Sequence, residues 1–534
     1  MIRMSEGFIR IERAIISVSN KEGLDEFVLG LKSWNIMIIA SGGTALRLQE
    51  KGIEVVEVED VTGFPELLKG RVKTLHPTIH AGILASRENT QHMLDLKKCK
   101  IEPIDLVVCD LYPFEEMVRK KKSHGSCLEN IDIGGVTLLR AAAKNYNYVT
   151  VISNTGKYFE LLKHLDENDG STSHQFRLAN AMEAFMCSSN YDWQVSKWFS
   201  NSGPNIFPEV SLIKSKLSKQ LPYGENPHQK AALYKNENSR ENGDSFIQHQ
   251  GKNLSYNNFL DFDSCIGLLR NFRSYTKPLV GIIKHTNPCG VASGSSVLDS
   301  FNKALECDPI SAFGGIVVSN SRISLEETEK IVENFFEMII APGFDDSALK
   351  VLSRKKKMRV VSIGDSWKSK TTNDYELRST SLGLLLQEKD SNDIKTQDLK
   401  VVTNLNPKSN ELEDLVFAWK VVKQLKSNGI VFVKNSATVG IGCGQSSRVD
   451  SVVTAITKSE IMKQKMGLSL SPLDGAVMAS DAFFPFADSL DKAVSKGIKS
   501  VVQPGGSIRD NEVIDFANKN GVSMVLTGIR AFKH

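Results

Sequence analysis

None of the chain's eight cysteines stand in Cys-x-x-Cys spacing, which argues against a zinc knuckle or a disulfide framework and fits a reducing compartment. No apolar run approaches the ~18 residues that a membrane-spanning helix needs. Met1 to Arg13 carries Arg3, Glu6, Arg10, Glu12 and Arg13 where a secretory segment would have an apolar core. An excess of one charge is missing too: Lys+Arg 66 against Asp+Glu 62 leaves a formal net charge of +4, so bulk electrostatics does not argue for nucleic acid. The local basic runs Lys97-Lys98, Lys120-Lys121-Lys122 and Arg354-Lys355-Lys356-Lys357 read as solvated faces. Neither a Walker loop nor the dinucleotide Gly-x-Gly-x-x-Gly pattern occurs. What remains is a 534-residue chain of ordinary globular composition, 41% hydrophobic and 24% charged. It is long enough for several core-forming units, and a cytoplasmic location is expected.

The stretch Lys284-His285-Thr286-Asn287-Pro288-Cys289-Gly290 follows an apolar run, Leu279 to Ile283, that predicts a buried strand. It sets a base and a cation together where a strand opens into a Pro/Gly turn. A His can take a proton near neutral pH, and an adjacent Lys can stabilise the oxyanion formed when an amine attacks a carbonyl. The pattern nearly matches the zinc nucleobase deaminases, whose His-x-Glu and Pro-Cys-x-x-Cys supply metal ligands and a general acid. Here Asn287 stands at the Glu position, and Ala292 follows Cys289 by three residues. A polar site without metal is expected.

The first third alternates short apolar runs with helical patterns. Ala14–Val18, Ile36–Ala40, Ile53–Val58, Ile104–Val108 and Val149–Ile152 predict strands, and Leu24–Leu31 predicts one of the intervening helices. This is the pattern of a parallel α/β sheet with helices on both faces. Polar-rich helical sequence runs from Tyr158 to about Phe199, and Ser200-Asn201-Ser202-Gly203-Pro204-Asn205 predicts a linker. A second, larger α/β region begins at Leu221 and contains a faint duplication. Ile282-Ile283-Lys284 leads to Gly290 and later to Ser311-Ala312-Phe313-Gly314-Gly315, as Val431-Phe432-Val433-Lys434 leads to Gly440-Ile441-Gly442 and later to Asp481-Ala482-Phe483-Phe484. Lys389 to Lys400 predicts an exposed connection.

Two turns in the first region suit an anion: Ser17-Val18-Ser19-Asn20-Lys21 and Ala40-Ser41-Gly42-Gly43-Thr44. Each ends a strand and opens a helix, so small residues, hydroxyls and a helix N-terminus meet at the carboxyl edge of one sheet. The plain alternatives are a Ser19/Glu22 capping box and a helix that simply begins at Thr44. In Gly70-Arg71-Val72-Lys73-Thr74, Arg71 and Lys73 alternate, so an extended segment would point both to one face; a solvated loop is the bland reading. Asp110-Leu111-Tyr112 closes a strand with a phenol at the sheet edge. Asp132-Ile133-Gly134-Gly135 starts a helix carrying Arg140 and Lys144 on one face. A continuous helix would hold Asp132 and Lys144 roughly 18 Å apart, so a shared site requires a bend or a second subunit.

In the second region Tyr223-Gly224-Glu225-Asn226-Pro227-His228-Gln229 is dense in turn formers. Ser427-Asn428 precedes a strand, and two glycine-rich turns each reach a cation: Gly440 to Arg448, and Gln503-Pro504-Gly505-Gly506-Ser507-Ile508-Arg509. Glycine turns are commonly structural. Several of them beside a Lys-His pair suit close backbone approach by a flat polar ligand.

In order along the chain, SVSNK, ASGGT, GRVKTLHP, LYPF, DIGGVTLLRAAAKN, YGENPHQ, KHTNPCG, DPISAFGG, GIGCGQSSR, SDAFFPF, QPGGSIRD and IRAFKH closely resemble the bifunctional family of late purine synthesis. That family joins an aminoimidazole carboxamide ribonucleotide (AICAR) formyltransferase to an inosine monophosphate (IMP) cyclohydrolase. The resemblance implies an α/β chain with an amino-terminal methylglyoxal-synthase-like parallel-sheet domain (residues 1–155) as cyclohydrolase. A helical connection (156–205) would follow, then a formyltransferase (206–534) of duplicated cytidine-deaminase-like folds without zinc. It implies 10-formyltetrahydrofolate as co-substrate, AICAR and formyl-AICAR as substrates, no catalytic metal, and a homodimer with the formyltransferase site at the interface; a structural monovalent cation is left open.

By the match, His285 would help deprotonate the weakly nucleophilic 5-amino group, Lys284 would stabilise the oxyanion, and Asn428 would orient the substrate. Tyr223, Arg448, Phe483, Asp488, Ser507, Ile508 and Arg530 would line nucleotide or folate subsites. In the first domain Ser17, Ser19, Lys21, Ser41, Gly42, Gly43 and Thr44 would hold the phosphate. Arg71 and Thr74 would bind nearby, and Lys73, Tyr112, Asp132 and Lys144 would manage ring closure.

Two residues depart from the pattern: Pro222 and Ala487 stand where Arg is usual. Losing a bidentate phosphate cation weakens binding by roughly one to a few kcal/mol unless another cation replaces it; Arg530 and Lys219 are the candidates. Three other readings compete. One is a cyclohydrolase with an impaired formyltransferase half. The others are a phosphate-eliminating lyase using the first domain alone, and a nucleotide-binding regulator without turnover.

Overall fold

The computed structural model describes residues 7–68, 71–200, 207, 209–210, 213–236, 246–368 and 375–534. Gly70 and positions 201–205 of the expected linker lie outside the described residues. The chain forms two compact units, Met1–Lys214 and Ser215–His534.

The first unit is built on five strands: β1 (Arg13–Ser17), β2 (Met37–Ala40), β3 (Val56–Glu57), β4 (Leu106–Cys109) and β5 (Thr150–Ile152). They lie in the order β3-β2-β1-β4-β5, and every pair is parallel. Successive side chains on a strand point to opposite faces, so Ile16 joins one apolar core with Phe27, Leu31 and Leu161, and Ile15 joins another with Ile79, Leu139 and Val151. Among the helices are α1 (Leu24–Ser33), α2 (Gly42–Glu50), α3 (Gly134–Lys144) and α4 (His174–Ser200). In α1, Leu24, Phe27, Val28 and Leu31 are buried, the i, i+3, i+4, i+7 stripe of a helix lying on a sheet.

Two local expectations fail here. The predicted strand over Ile53–Val58 shrinks to Val56–Glu57, because Val58 already begins a short helix, Val58–Thr62. The Ser19/Glu22 capping box does not form: α1 starts at Leu24 behind Gly23, whose φ is 68°. The Ser19 N–H and hydroxyl are taken instead by Asp110 and the Leu111 carbonyl.

The second unit holds a twelve-stranded sheet. Its elements are β6 (Ile247–Gln250), α5 (Tyr256–Asn271), β7 (Leu279–Lys284), β8 (Asn287–Ser293), α6 (Val297–Cys307), β9 (Ile316–Ser319), β10 (Met338–Ala341) and β11 (Arg359–Ser362). There follow β12 (Lys400–Val401), α7 (Ser409–Val422), β13 (Ile430–Lys434), β14 (Ala437–Gly442), α8 (Arg448–Lys465), β15 (Val477–Ser480), β16 (Ser500–Gln503) and β17 (Ser523–Leu526). The order across the sheet is β6-β11-β10-β9-β7-β8-β14-β13-β15-β16-β17-β12. It is a palindrome of two equivalent halves meeting at β8 and β14.

The duplication extends to detail. The β7–β8 hairpin turns on His285 and Thr286 at φ 52° and 64°, and the β13–β14 hairpin turns on Asn435 and Ser436 at 53° and 56°. Each has a register shift at the same place, Ile282/Ile283 and Phe432/Val433. Asp261 of α5 accepts the Thr286 N–H at 2.7 Å, as Asp414 of α7 accepts that of Ser436 at 2.6 Å. One expected pairing is out of register: Ser311–Gly315 precedes β9, whereas Asp481–Phe486 follows β15, the strand equivalent to β9. The counterpart of Asp481 is Asn320. Within Lys389–Lys400 most residues are exposed, and Lys420 and Lys423 of α7 pair with Asp393 and Asp390 of this stretch.

Candidate active sites

In the first unit the carboxyl ends of β1, β2 and β4 converge. Ser17 ends β1; Ser41 is the N-cap of α2, which Gly42, Gly43 and Thr44 open. The two turns are tied together: the Val18 N–H donates to Thr44 Oγ1 at 3.3 Å and Lys21 Nζ donates to the same oxygen at 2.7 Å. From β4, Asp110 accepts the N–H groups of Ser19 and Asn20. Burial pushes the Lys21 ammonium below its ordinary value, against the opposing pull of Asp110, so a cation is held partly desolvated beside a helix N-terminus. Such a position favours an incoming anion.

Lys73 reaches over this floor. Gly42 has φ 50°, and a Cβ built there would lie 2.5 Å from Lys73 Nζ. Lys73 also pairs with Glu66 at 3.2 Å. A Cβ built on Gly134 would lie 3.0 Å from Thr74 Oγ1, which sets Thr74 against the start of α3. Asp132 Oδ1 accepts the Gly135 N–H at 2.7 Å, and its own N–H donates to the Tyr191 hydroxyl at 2.7 Å. Burial pushes the Asp132 carboxyl up, while the Gly135 and Tyr112 N–H groups draw it down. A cavity of about 470 Å³ beside Asp132 is lined by Ile131, Val136, Tyr191 and Phe199, and by none of the anion-turn residues.

Two expected members stand apart. Residues 71–74 form turns and bends around one bridge residue, Val72, rather than an extended segment, and Arg71 pairs with Glu129 while Lys73 faces Gly42. The two cations therefore do not share a face. Lys144 ends α3, a continuous helix from Gly134, so about 15 Å of helix at 1.5 Å per residue separates it from the helix start beside Asp132.

In the second unit strand direction gathers the site. β7 is antiparallel to β8, β8 to β14, and β14 to β13, so the end of β7 and the start of β13 share a sheet edge. β15 runs against β13, and β16 and β17 run with β15, so the loops after them open on that edge too. Lys284, His285, Asn428, Phe483, Ser507, Ile508 and Arg530 all belong to it. A direct bond links its two halves, from the Lys426 N–H to Asn287 Oδ1 at 3.0 Å. Asn287, at the deaminase Glu position, thus ties the backbone. Cys289 is buried, and burial pushes its thiol up to about 12. Among the described residues no group of three or more His, Cys, Asp or Glu is placed to hold a metal ion.

Lys284 Nζ donates to the Phe313 carbonyl at 2.6 Å, and His285 is exposed at the tip of the turn. Burial raises the Asp261 carboxyl; the Thr286 N–H and nearby His285 hold it back. Asn428 is fixed on both sides of its amide. Nδ2 donates to the carbonyls of Gln445 and Ser446 at 2.9 and 3.2 Å, and Oδ1 accepts from Arg448 Nη2 at 2.8 Å. Arg448 pairs through Nη1 with the buried Asp481. Phe532 has two cations near its ring, with Arg530 Cζ 4.5 Å and Arg448 Cζ 6.0 Å from its centre. Asp488 starts a short helix, Asp488–Val494, behind Ala487. Tyr223 lies outside the large sheet, at the turn of the two-stranded sheet Ser215–Leu221/Ala231–Asn236; that turn reaches α5 where Asn257 Nδ2 donates to the Glu225 carbonyl at 3.2 Å.

Sequence reasoning did not single out Asp110, Asp261 or Asp481 as site members. Asp110 stands just ahead of LYPF and Asp481 within SDAFFPF; their partners lie in distant segments and only the fold shows them. Arg509, the cation that the second glycine-rich turn reaches, has its Cζ 4.7 Å from the Phe486 ring, next to Ala487.

Comparison with known proteins identifies the family. The family model for the AICARFT/IMPCHase bienzyme matches residues 142–458, and that for the MGS-like domain matches residues 23–137. A bifunctional purine biosynthesis protein PurH from Rhodospirillum rubrum is 46% identical over 524 residues, covering 98% of this chain and 99% of its own length. Those of Paracoccus denitrificans and Dinoroseobacter shibae are 45% and 44% identical over 526 residues, with the same coverage. The crystal structure of ForH overlaps 36% of this chain and 100% of its own, at 33% identity and a TM-score of 0.33. With a matching family model over more than half its length and relatives aligned end to end, the chain belongs to the AICARFT/IMPCHase bienzyme family of purine biosynthesis.

Proposed function

We propose that the chain performs both reactions its family name describes, in the cytoplasm: formyl transfer from 10-formyltetrahydrofolate to the 5-amino group of AICAR, then dehydrative closure of formyl-AICAR to IMP. Formyl transfer belongs to the second unit and ring closure to the first. The observation that carries this reading is the shared sheet edge where the Lys284-His285 turn, Asn428 and the Arg448–Phe532–Arg530 stack open together.

The AICAR amine attacks the formyl carbon of the folate, and His285 takes the amine proton. Lys284 Nζ, which here donates to a backbone carbonyl at 2.6 Å, exchanges that acceptor for the developing oxyanion. The bond from the formyl carbon to the folate nitrogen then breaks, and that nitrogen recovers a proton as tetrahydrofolate leaves. Asn428 orients the nucleotide. Tyr223, Arg448, Phe483, Asp488, Ser507, Ile508 and Arg530 line its surroundings and those of the folate. Arg509 supplies a cation where Ala487 lacks one.

In the first unit Ser17, Ser19, Lys21, Ser41, Gly42, Gly43 and Thr44 hold the 5′-phosphate, with Thr74 beside it, and Arg71 joins them by exchanging Glu129 for the anion. Lys73 and Tyr112 face the reacting groups, and Asp132 manages the proton as the carboxamide nitrogen closes on the formyl carbon and water departs. Lys144 joins this site from a second copy of the chain in a homodimer. The rigid length of α3 supports that assignment.

A coupled assay with AICAR and 10-formyltetrahydrofolate tests the reading, following tetrahydrofolate release and IMP together. Both products are expected, and Lys284→Ala is expected to cut release by ~10²-fold or more while conversion of added formyl-AICAR continues. If the purified chain converts added formyl-AICAR but releases no tetrahydrofolate, formyl transfer is excluded and Pro222 becomes the first residue to restore to Arg.

A further inference from the structure

Asp481 has no part in the chemistry above, yet its side chain is 0% exposed and accepts from three donors. Oδ2 accepts the Ser427 hydroxyl at 2.6 Å and the Gly429 N–H at 2.9 Å, while Oδ1 takes Arg448 Nη1. Arg448 is itself only 7% exposed, and its other nitrogen fixes Asn428 Oδ1. The chain of contacts runs Asp481–Arg448–Asn428, from a fully buried charge to the edge of the site.

The duplicated fold shows what this carboxylate is not needed for. In the first half the counterpart of Asp481 is Asn320, whose Oδ1 accepts the Leu279 N–H at 2.8 Å, just as Asp481 accepts that of Gly429. Tying the entry of the central strand therefore takes an acceptor and no charge. The counterpart of Arg448, the first residue of α8 behind its Ser447 cap, is Val297, the first residue of α6 behind Ser296; it too is 7% exposed. A neutral Asn and a Val serve the fold in one half, and a buried ion pair replaces them in the half whose edge presents Asn428. Burying two charges gains little or nothing in stability over apolar groups, so the pair calls for another reason.

We propose that Asp481 is a positioning residue for formyl transfer, holding the Arg448 guanidinium so that it fixes the Asn428 amide. An amide oxygen has two lone pairs. Arg448 occupies one, Nδ2 is committed to two carbonyls, and the second lone pair of Oδ1 faces the nucleotide in one defined direction. With the carboxylate neutralised, Arg448 loses its counter-charge and Asn428 loses the partner that fixes its orientation. This inference rests on the formyltransferase reading above.

Asp481→Asn tests it, because it installs the solution that the first half already uses and keeps an acceptor for Gly429. The expected result is a kcat for formyl transfer lowered ~10²-fold, KM values within ~3-fold, and formyl-AICAR cyclisation unchanged. Asn428→Ala alone should lose a similar factor, and Asp481→Asn placed on it should cost less than ~2-fold more, the non-additivity of residues acting in series. Ser427→Ala, which removes one donor to Asp481, should lower kcat a few-fold and decides the matter if Asp481→Asn no longer binds AICAR. An Asp481→Asn kcat within ~3-fold of the parent, full additivity on Asn428→Ala, or an unchanged Ser427→Ala overturns the proposal alone. Absence of formyl transfer in the parent chain overturns the formyltransferase reading, and this one with it.

Discussion

At the scale of single residues, burial works against the ionised form of Asp132. Its carboxyl is raised by desolvation more than the Gly135 and Tyr112 N–H groups lower it. A carboxyl whose folded pKa lies above its unfolded one stabilises the fold while protonated, at pH below the ordinary carboxylate range; that contribution is lost as pH rises through the folded value. At neutral pH the ionised group therefore weakens the first unit. Asp132→Asn is expected to cut cyclisation by ~10²–10⁴-fold yet raise the melting temperature at pH 7, with the gain shrinking as pH is lowered toward 4. A melting temperature that falls at pH 7 would contradict this. Asp132 was legible because an Asp ahead of Gly-Gly opens a helix. Asp481 was legible only as a letter in a motif, since Arg448 and Asn428 lie 33 and 53 positions away and only β-strand order brings the three together.

At the scale of elements, the opening of α2 is the tightest construction in the first unit. Gly42 has a backbone φ of 50°, and a Cβ would meet Lys73 Nζ. Gly42→Ala is expected to cost ~1 kcal/mol in stability and, by displacing Lys73, to raise KM for formyl-AICAR ~10-fold or more. Formyl transfer in the same preparation should not change. Steady-state kinetics on both reactions checks it, and equal losses in the two would point to general unfolding. Strands β1, β2, β4 and β5 were legible as apolar runs because both sheet faces are covered. The edge strand was legible too, but its bounds were not: of the expected Ile53–Val58 only Val56–Glu57 pairs, on one side only, and its residues are half-buried. The Ser19/Glu22 cap failed for a related reason: local hydrogen-bonding pattern lost to Asp110, a carboxylate from another strand.

At the scale of the whole molecule, the duplication was visible in the paired Ile-Ile-Lys and Phe-Val-Lys strand ends, and its register was not, since the loops after β9 and β15 share no wording. The proposed homodimer makes a direct prediction. Asp132→Ala and Lys144→Ala should each be inactive in cyclisation, and an equimolar mixture allowed to exchange subunits should recover roughly a quarter of the parent activity, from the one intact site in each mixed dimer. No recovery would assign Lys144 no role across the interface. The length of α3 carries one consequence beyond this. If Lys144 serves the site of a second copy, as proposed, an eleven-residue helix that keeps Asp132 and Lys144 at opposite ends makes turnover in the first unit a function of concentration. Dilution below the dissociation constant of the dimer would extinguish cyclisation while leaving every monomer folded, so specific activity would track the dimer population by mass action.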